Sequence, residues 1–267
     1  MKSARIPAIL AAMALTALMT LAAHAAPAAE LPPIVVLAES PARRDYKTVA
    51  DLLRVLDVFE RERARYAPAA ELRVRVLPRR DLADLPALEL RHGTLREPIA
   101  LDALGRFVIP PTWRALPADA IVRSRLLDGR LAWMVDVRTP GLPERSRRLG
   151  DLRLECRADL HGGDLVRGIR LPAFYALRPF TDLCTSRQIT YLFSADWPVF
   201  AAQLSEGGRR AELPYRRMHG SEMGQTSPLF ELVDWPFALR DRFVVLPLDQ
   251  WQSWSDEALL ELEPMTP

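Results

Sequence analysis

The chain has almost no lysine and no excess of charge of either sign. Of its 267 residues, 36 are Lys or Arg and 34 are Asp or Glu, and lysine occurs only at Lys2 and Lys47. This balance excludes a strongly basic nucleic-acid-binding protein and a protein with an acidic tail. Because 49% of the residues are hydrophobic, the composition is that of a folded chain and not of a disordered or collagen-like one.

The sequence also lacks the short motifs of several large enzyme classes. It contains no H-E-x-x-H metalloprotease motif, P-loop, G-x-G-x-x-G fingerprint or EF-hand loop. The G-x-S-x-G nucleophile elbow of α/β-hydrolases is absent as well. We therefore expect a protein without a cofactor, and the motifs favour binding over catalysis.

The one long apolar run lies at the N-terminus. Lys2 and Arg5 precede an apolar stretch over residues 6–23, and residues 23–25 are an Ala-His-Ala cleavage site. This pattern is typical of a secretory signal peptide over residues 1–25, and retention as a membrane anchor is the alternative. After cleavage we expect no membrane span. With the Arg- and Ala-rich composition, the signal predicts a periplasmic or secreted protein of a Gram-negative bacterium.

Cysteine is scarce after the signal segment, where Cys156 and Cys184 form the only pair. In an oxidising compartment, two cysteines are most simply joined in one disulfide. Loop-entropy arguments give such a bond about 3–4 kcal/mol of stabilisation. Two free buried thiols are the alternative, whereas the spacing does not fit a zinc site.

In the mature chain, the sequence pattern changes at Pro68 from one typical of a helix to one typical of strands. Residues 26–45 are rich in Ala and Pro and are assigned to a linker. Residues 46–66 repeat apolar side chains every three or four positions, which predicts an amphipathic helix capped by Asp45 or Thr48. This is the one helix that the sequence predicts.

The rest of the chain is expected to be mainly β. Residues 70–160 predict an antiparallel β-sandwich of about seven strands, with alternating segments such as 72–77 and 152–157. Asp-Gly at residues 128–129 predicts a hairpin between the strands on either side. Residues 161–267 form a second, irregular β-rich region, and the sequence leaves open whether it packs on the first.

Two segments carry a resemblance to known proteins. Residues 137–143, Val-Arg-Thr-Pro-Gly-Leu-Pro, and residues 147–156 resemble a group of uncharacterised exported proteins of proteobacteria. The strand pattern of residues 70–160 is similar to transthyretin-like or carboxypeptidase-regulatory-like β-sandwich modules. The resemblance implies a periplasmic β-rich protein, and a likeness of fold implies no activity.

A hydrolytic site can be drawn from a few scattered residues. Ser221 would be the nucleophile, His161 the base and Asp164 the residue that orients it. A metal site formed by His161, His219 and Asp164 is a further alternative, with less support from the sequence. The alternative is that residues 161–164 form a hairpin turn and residues 219–227 a loop without catalytic role.

Two tryptophans, Trp197 and Trp235, each lie in an Asp-Trp-Pro sequence. An aromatic ring at a strand end can stack on a sugar or anchor a partner protein. The alternative is an aromatic lid on the sandwich, with the aspartate accepting an indole or backbone N–H.

Arginines cluster beside the Pro/Gly loop that follows residue 138. Arg138, Arg145, Arg147 and Arg148 could bind a phosphate or carboxylate, because guanidinium groups bind both in a bidentate way. The alternative is a solvated loop whose charges are neutralised by nearby acidic residues.

Our leading hypothesis is a non-enzymatic periplasmic binding or envelope-assembly protein. Its partner would be an envelope protein or a glycan, with no nucleic acid involved. A periplasmic hydrolase using Ser221 or His161 and Asp164 is one alternative. A carbohydrate-binding module using Trp197 and Trp235 is another.

Overall fold

The computed structural model describes residues 46–78, 87–124, 131–163, 165, 182–186, 191–219 and 237–265, all within the unit formed by residues 39–267. The helices and strands of these residues, in chain order, are β1 (Tyr46–Thr48), α1 (Val49–Tyr66), β2 (Glu71–Pro78), β3 (Leu88–His92), β4 (Leu95–Ile99), β5 (Arg106–Phe107), β6 (Ile121–Ser124), β7 (Leu131–Arg138), β8 (Ser146–Arg148), α2 (Leu149–Ala158), β9 (Leu192–Ser194), β10 (Val199–Glu206), β11 (Arg209–Glu212), β12 (Phe243–Val245) and β13 (Leu259–Pro264).

Every described strand pair is antiparallel. One sheet has the order β1-β6-β3-β4 and a second has the order β5-β2-β7. A third has the order β11-β10-β13-β8, and β12 pairs with β9. The predicted class, mainly antiparallel β with an N-terminal amphipathic helix, is confirmed.

The predicted helix is α1, which begins three residues later than expected because residues 46–48 form β1. The side chain of Thr48 accepts a hydrogen bond from the backbone N–H of Asp51 at 3.0 Å, so Thr48 is the N-cap. The apolar face, with Leu52 and Val55 fully buried, packs into the core. No helix among the described residues is long and apolar enough to cross a membrane.

The segment 152–157, predicted as a strand, is part of the helix α2, so this prediction is wrong. The buried face of α2 and of the turn after it carries three carboxylates at four-residue spacing, Asp151, Glu155 and Asp159, all at most 1% exposed. Where charged residues occupy the buried face of a helix, the apolar residues do not recur every three or four positions, and the sequence does not reveal the helix. The short alternation of leucine with polar residues then resembles a strand.

The predicted hairpin around residues 128–129 is also wrong in its pairing. Among the described residues, β6 pairs with β1 and β3, whereas β7 pairs with β2 in another sheet. The two strands that flank Asp-Gly, β6 and β7, therefore belong to different sheets. Residues 125–130 themselves lie outside the described residues.

The described residues form three hydrophobic cores, and α2 contributes to the two larger ones. In the first, apolar side chains of α1 meet those of the sheets β1-β6-β3-β4 and β5-β2-β7, in keeping with the predicted sandwich. Leu154 and Ala158 of α2 belong to this core. Leu149 and Leu152 belong to the second, which contains the sheet of β10 and β13. The helix that the sequence missed therefore contributes to both larger cores.

The sulfur atoms of Cys156 and Cys184 lie at bonding distance and their Cα atoms are 6.0 Å apart, in agreement with the predicted disulfide. The bond ties α2 to the short helical turn Leu183–Thr185. Such a bond is compatible with a compartment outside the cytoplasm.

We expect the denatured, unreduced protein to gain no mass when it is treated with iodoacetamide. After reduction, it should gain two alkyl groups per chain, one on Cys156 and one on Cys184. Intact-mass spectrometry reads both states. Two alkyl groups added without reductant would show free thiols in the native protein.

Glycine allows α1 and α2 to lie close together in antiparallel directions. Gly150 lies against the backbone of Tyr66, and Gly162 lies against that of Val55. A Cβ on Gly162 would be 2.7 Å from the Cα of Val55. Residues 159–163 form a π-helical turn with non-helical backbone angles at Gly162. The hairpin turn predicted for residues 161–164 is therefore wrong for its described part.

Replacing Gly162 by alanine should lower the free energy of unfolding by about 1–3 kcal/mol, because the helices must separate to admit the methyl group. Urea titration followed by circular dichroism measures the loss. Arg61→Ala, on the solvent side of α1, is the control and should change stability by no more than about 0.5 kcal/mol. Equal effects of the two substitutions would contradict the tight contact.

Candidate functional site

A cavity of about 310 Å³ lies where β2, β7 and the loop 139–146 meet. Its wall carries charged residues of both signs, four arginines and five acids: Arg73, Arg106, Arg138, Arg147, Glu71, Asp136, Glu144, Asp151 and Asp196. Leu104 and Leu142 are among its few apolar residues.

The strands β2 and β7 place the charged floor of this cavity. Side chains alternate between the two faces of a strand, and the register sets Arg73 opposite Asp136 and Glu71 opposite Arg138. Most apolar side chains of both strands point to the first core, whereas two on the charged face pack in a third core with β9 and β12. The alternation predicted a strand with one solvated face, but the polar face is covered as well. Arg75 is only 1% exposed and Asp136 only 3%.

Asp196, from the loop after β9, closes this polar face. Its carboxylate accepts hydrogen bonds from Nη1 of Arg75 at 3.0 Å and from Nη1 and Nη2 of Arg138 at 2.7 and 2.9 Å. Burial opposes the charge of Arg138, but Asp136 and Asp196 raise its pKa above the ordinary value. The aspartate of the first Asp-Trp-Pro sequence therefore pairs with guanidinium groups.

Asp136 is the buried acid at the centre of the network. Its Oδ1 accepts from Nε of Arg138 at 2.7 Å, and its Oδ2 lies 3.4 Å from Nη1 of Arg106. Burial alone would raise the pKa of Asp136, but the positive charges of Arg138, Arg147 and Arg75 outweigh it. They lower the pKa to about 2. Asp136 is therefore ionised at neutral pH.

Among the described residues, the outer edge of β7 is covered by side chains of α2 and β8 and not by another strand. The N–H of Val137 donates to Oε2 of Glu155 at 3.0 Å, and its carbonyl accepts from Nη2 of Arg147 at 2.7 Å. The N–H and hydroxyl of Thr139 both donate to the carboxylate of Asp151. The buried acids of α2 thus satisfy backbone groups of an edge strand.

Glu155 and Arg147 form a buried ion pair, with 2.6 Å between Oε2 and Nη2. Complete burial and the negative charge of Asp136 outweigh the attraction of Arg147. They raise the pKa of Glu155 to about 7. This carboxyl is therefore poised to change its charge near neutral pH.

Arg147 keeps part of its hydrogen-bonding capacity free, although it is only 4% exposed. Nη2 makes the bonds to Val137 and Glu155. Within the described ranges, Nε has no hydrogen-bond partner, and no bond is formed by Nη1 either. A buried guanidinium that lines a cavity with unused N–H groups is suited to receive an acceptor from a ligand.

The arginine cluster predicted beside the Pro/Gly loop divides in the structure. Arg138 and Arg147 reach the cavity wall. Arg148 forms an ion pair with Glu257, and Arg145 is exposed. Only two of the four predicted arginines therefore meet at one site.

The candidate hydrolytic residues are only partly described. His161 lies half-buried in the π-helical turn after α2, beside the close contact of Gly162 with α1. Asp164 and Ser221 lie outside the described residues, so their convergence with His161 stays a prediction. His219 sits 2.7 Å, by its Nε2, from the carbonyl of Val199. No group of three metal-ligating side chains occurs in the ranges that the structure describes.

The candidate aromatic platform is also described only in part. Trp197 is half-buried, and its Nε1 is buried without a hydrogen-bond partner among the described residues. Its neighbour Asp196 is not available to the indole as a free acceptor, because it binds Arg75 and Arg138. Trp235 lies outside the described residues. Sugar binding and the lid interpretation both stay predictions.

No protein-family model, no curated protein and no solved structure matches the chain. The resemblances to exported proteobacterial proteins and to transthyretin-like modules therefore stay predictions.

Proposed function

We propose that this chain is a non-enzymatic binding protein of the bacterial envelope and that the cavity beside β7 is its ligand site. The signal-like N-terminus and the disulfide support a location outside the cytoplasm. A role in envelope assembly would use the same site for part of a partner molecule.

The cavity over its ordered ion network is the observation that carries the proposal. Asp136, Arg138 and Asp196 hold one another through direct hydrogen bonds, so the charged wall is rigid before any ligand arrives. Preorganised polar groups bind a ligand with less loss of side-chain entropy. The volume of about 310 Å³ lies at the lower end of ligand sites, which span roughly 300–1,000 Å³. The site is therefore suited to a small polar molecule.

The proposal predicts that a small-molecule fraction of the producing cell's envelope raises the melting temperature of the purified protein by a few degrees. Leu142→Trp should abolish the rise, because Leu142 lines the cavity from the loop and the indole would fill it. Leu95→Trp is the matched control, since Leu95 lies on the exposed edge strand β4. Differential scanning fluorimetry measures all three proteins.

The absence of any rise in the folded wild-type protein would overturn the proposed function. An equal rise in Leu142→Trp and the wild type would place binding elsewhere than in the cavity.

A further inference from the structure

We propose that the ligand of the cavity is a small zwitterion, which carries both a carboxylate and an ammonium group as a free amino acid or dipeptide does. This inference rests on the proposed function and adds the chemical class of the ligand.

The residues that line the cavity have almost no net charge, so the wall as a whole does not favour an ion of one sign. Four arginines face five acidic residues, so the formal charge of the lining is close to zero. A simple anion would meet the carboxylates of Asp136 and Asp196, and a simple cation would meet the guanidinium groups of Arg138 and Arg147. A ligand with both charges can place each one against its opposite, as electrostatic complementarity requires.

The group suited to the ligand's carboxylate is the guanidinium of Arg147. Most positive charges of the wall are already used, since all three nitrogens of Arg138 bond to Asp136 or Asp196. Arg147 pairs with Glu155 through Nη2 alone, and its other N–H groups have no partner among the described residues although the side chain is buried. Hydrogen bonds between guanidinium and carboxylate are charge-assisted and strong.

The group suited to the ligand's ammonium is the carboxylate of Glu144. Glu144 forms no ion pair or hydrogen bond within the described part of the chain, and it lies on the loop that walls the cavity. No neighbouring cation in the described residues neutralises this exposed acid, so it attracts a positive charge.

The first step of the test is a thermal-shift screen of the purified full chain with the common free amino acids and the dipeptide Ala-Ala. We expect at least one of these zwitterions to stabilise the protein. The best of them is then compared by calorimetric titration with its N-acetylated form, which lacks the ammonium, and its amidated form, which lacks the carboxylate. Each blocked form should bind at least about tenfold more weakly, a difference of about 1.4 kcal/mol.

Glu144→Gln tests recognition of the ligand's ammonium apart from recognition of its carboxylate. It leaves the buried network intact, because Glu144 is exposed. It should weaken binding of the zwitterion severalfold and leave binding of the N-acetylated form unchanged. Glu97→Gln, on the exposed strand β4, is the matched control and should change neither.

Equal affinity of the N-acetylated form and the zwitterion would overturn the inference in favour of an anion site. Equal affinity of the amidated form would overturn it in favour of a cation site. If the envelope fraction stabilises the protein but no zwitterion does, the proposed function stands and the ligand class is wrong. If neither stabilises it, both fail.

Discussion

Replacing Arg75 by methionine is expected to lower the free energy of unfolding by about 3–5 kcal/mol, the cost of breaking a buried ion pair from one side. Arg75 is 1% exposed and joins three separate segments. Its Nη1 donates to Asp196 and to the carbonyl of Ala195, and its Nε donates to the carbonyl of Leu104. Methionine fills similar space but removes the Arg75 donor from the buried carbonyl of Ala195 and one of the two guanidinium partners of Asp196.

Arg73→Met is the matched control for this substitution. Arg73 lies two residues earlier on the same face of β2, but its side chain is 38% exposed and pairs with Glu71 and Asp102 near solvent. Exposed ion pairs contribute at most about 1 kcal/mol. Urea titration of both variants therefore compares two arginines that differ mainly in burial. Similar losses in the two variants would show that the Arg75 network adds nothing to stability.

A double variant tests whether Arg75 and Asp196 act as a pair. Asp196→Leu alone removes an acceptor from the buried guanidinium of Arg75 and from the partly exposed one of Arg138, and it should also destabilise strongly. In the double variant, neither the guanidinium of Arg75 nor the carboxylate of Asp196 is left without the other. The loss in free energy of unfolding should therefore be well below the sum of the two single losses. Additive losses would mean that the contact is not energetically coupled.

The sequence predicted the elements whose side chains follow a simple period. The helix α1 has an apolar face and a Thr48 cap, β2 alternates apolar and charged residues, and β7 is a short apolar run, so each local pattern agrees with the fold. The cysteine pair was predictable because only two cysteines remain after the signal segment.

The candidate site was not predictable in the same way, because it depends on contacts far apart in sequence. Alternation shows that Arg75 lies on one face of β2, but not that Asp196 will cover this face from more than a hundred residues away. One signal was present. Asp136 is an acid inside the otherwise apolar strand β7, and a charge at such a position usually has a buried partner.

The helix α2 was also not predictable from its local sequence pattern. Its carboxylates Asp151 and Glu155 face inward to bind backbone N–H groups of β7, whereas hydropathy treats them as solvent-facing. A buried polar stripe is therefore invisible to periodicity. Only the edge of β7, with N–H groups that need acceptors, explains why these acids lie inside.

The second large effect concerns pH and the carboxyl of Glu155. Burial and Asp136 raise its pKa from 4.5 to about 7 against the attraction of Arg147. The folded protein then binds one more proton than the unfolded chain between these two pH values. The resulting stabilisation is fully present below pH 4.5 and is lost as the pH rises through about 7. The shift corresponds to about 3 kcal/mol.

Glu155→Gln removes this titration while it keeps the size of the side chain. The stability of the wild type relative to Glu155→Gln should therefore fall by about 3 kcal/mol between about pH 5 and about pH 8. Urea titrations at several pH values measure the difference, and titrations common to both proteins cancel in it. The resonance of the Glu155 carboxyl carbon, followed by NMR, gives the same transition directly.

Glu62→Gln is the matched control, because Glu62 of α1 also pairs with an arginine, Arg157 of α2. Burial opposes the ionisation of Glu62, but Arg157 outweighs it and lowers the pKa below 4.5. Its contribution is therefore present above pH 4.5 and lost only as the pH falls through the lowered value, so this control difference should stay flat between about pH 5 and about pH 8. If the wild type gained stability over Glu155→Gln as the pH rises, Glu155 would be ionised in the fold. The ion pair with Arg147 would then outweigh the cost of burial.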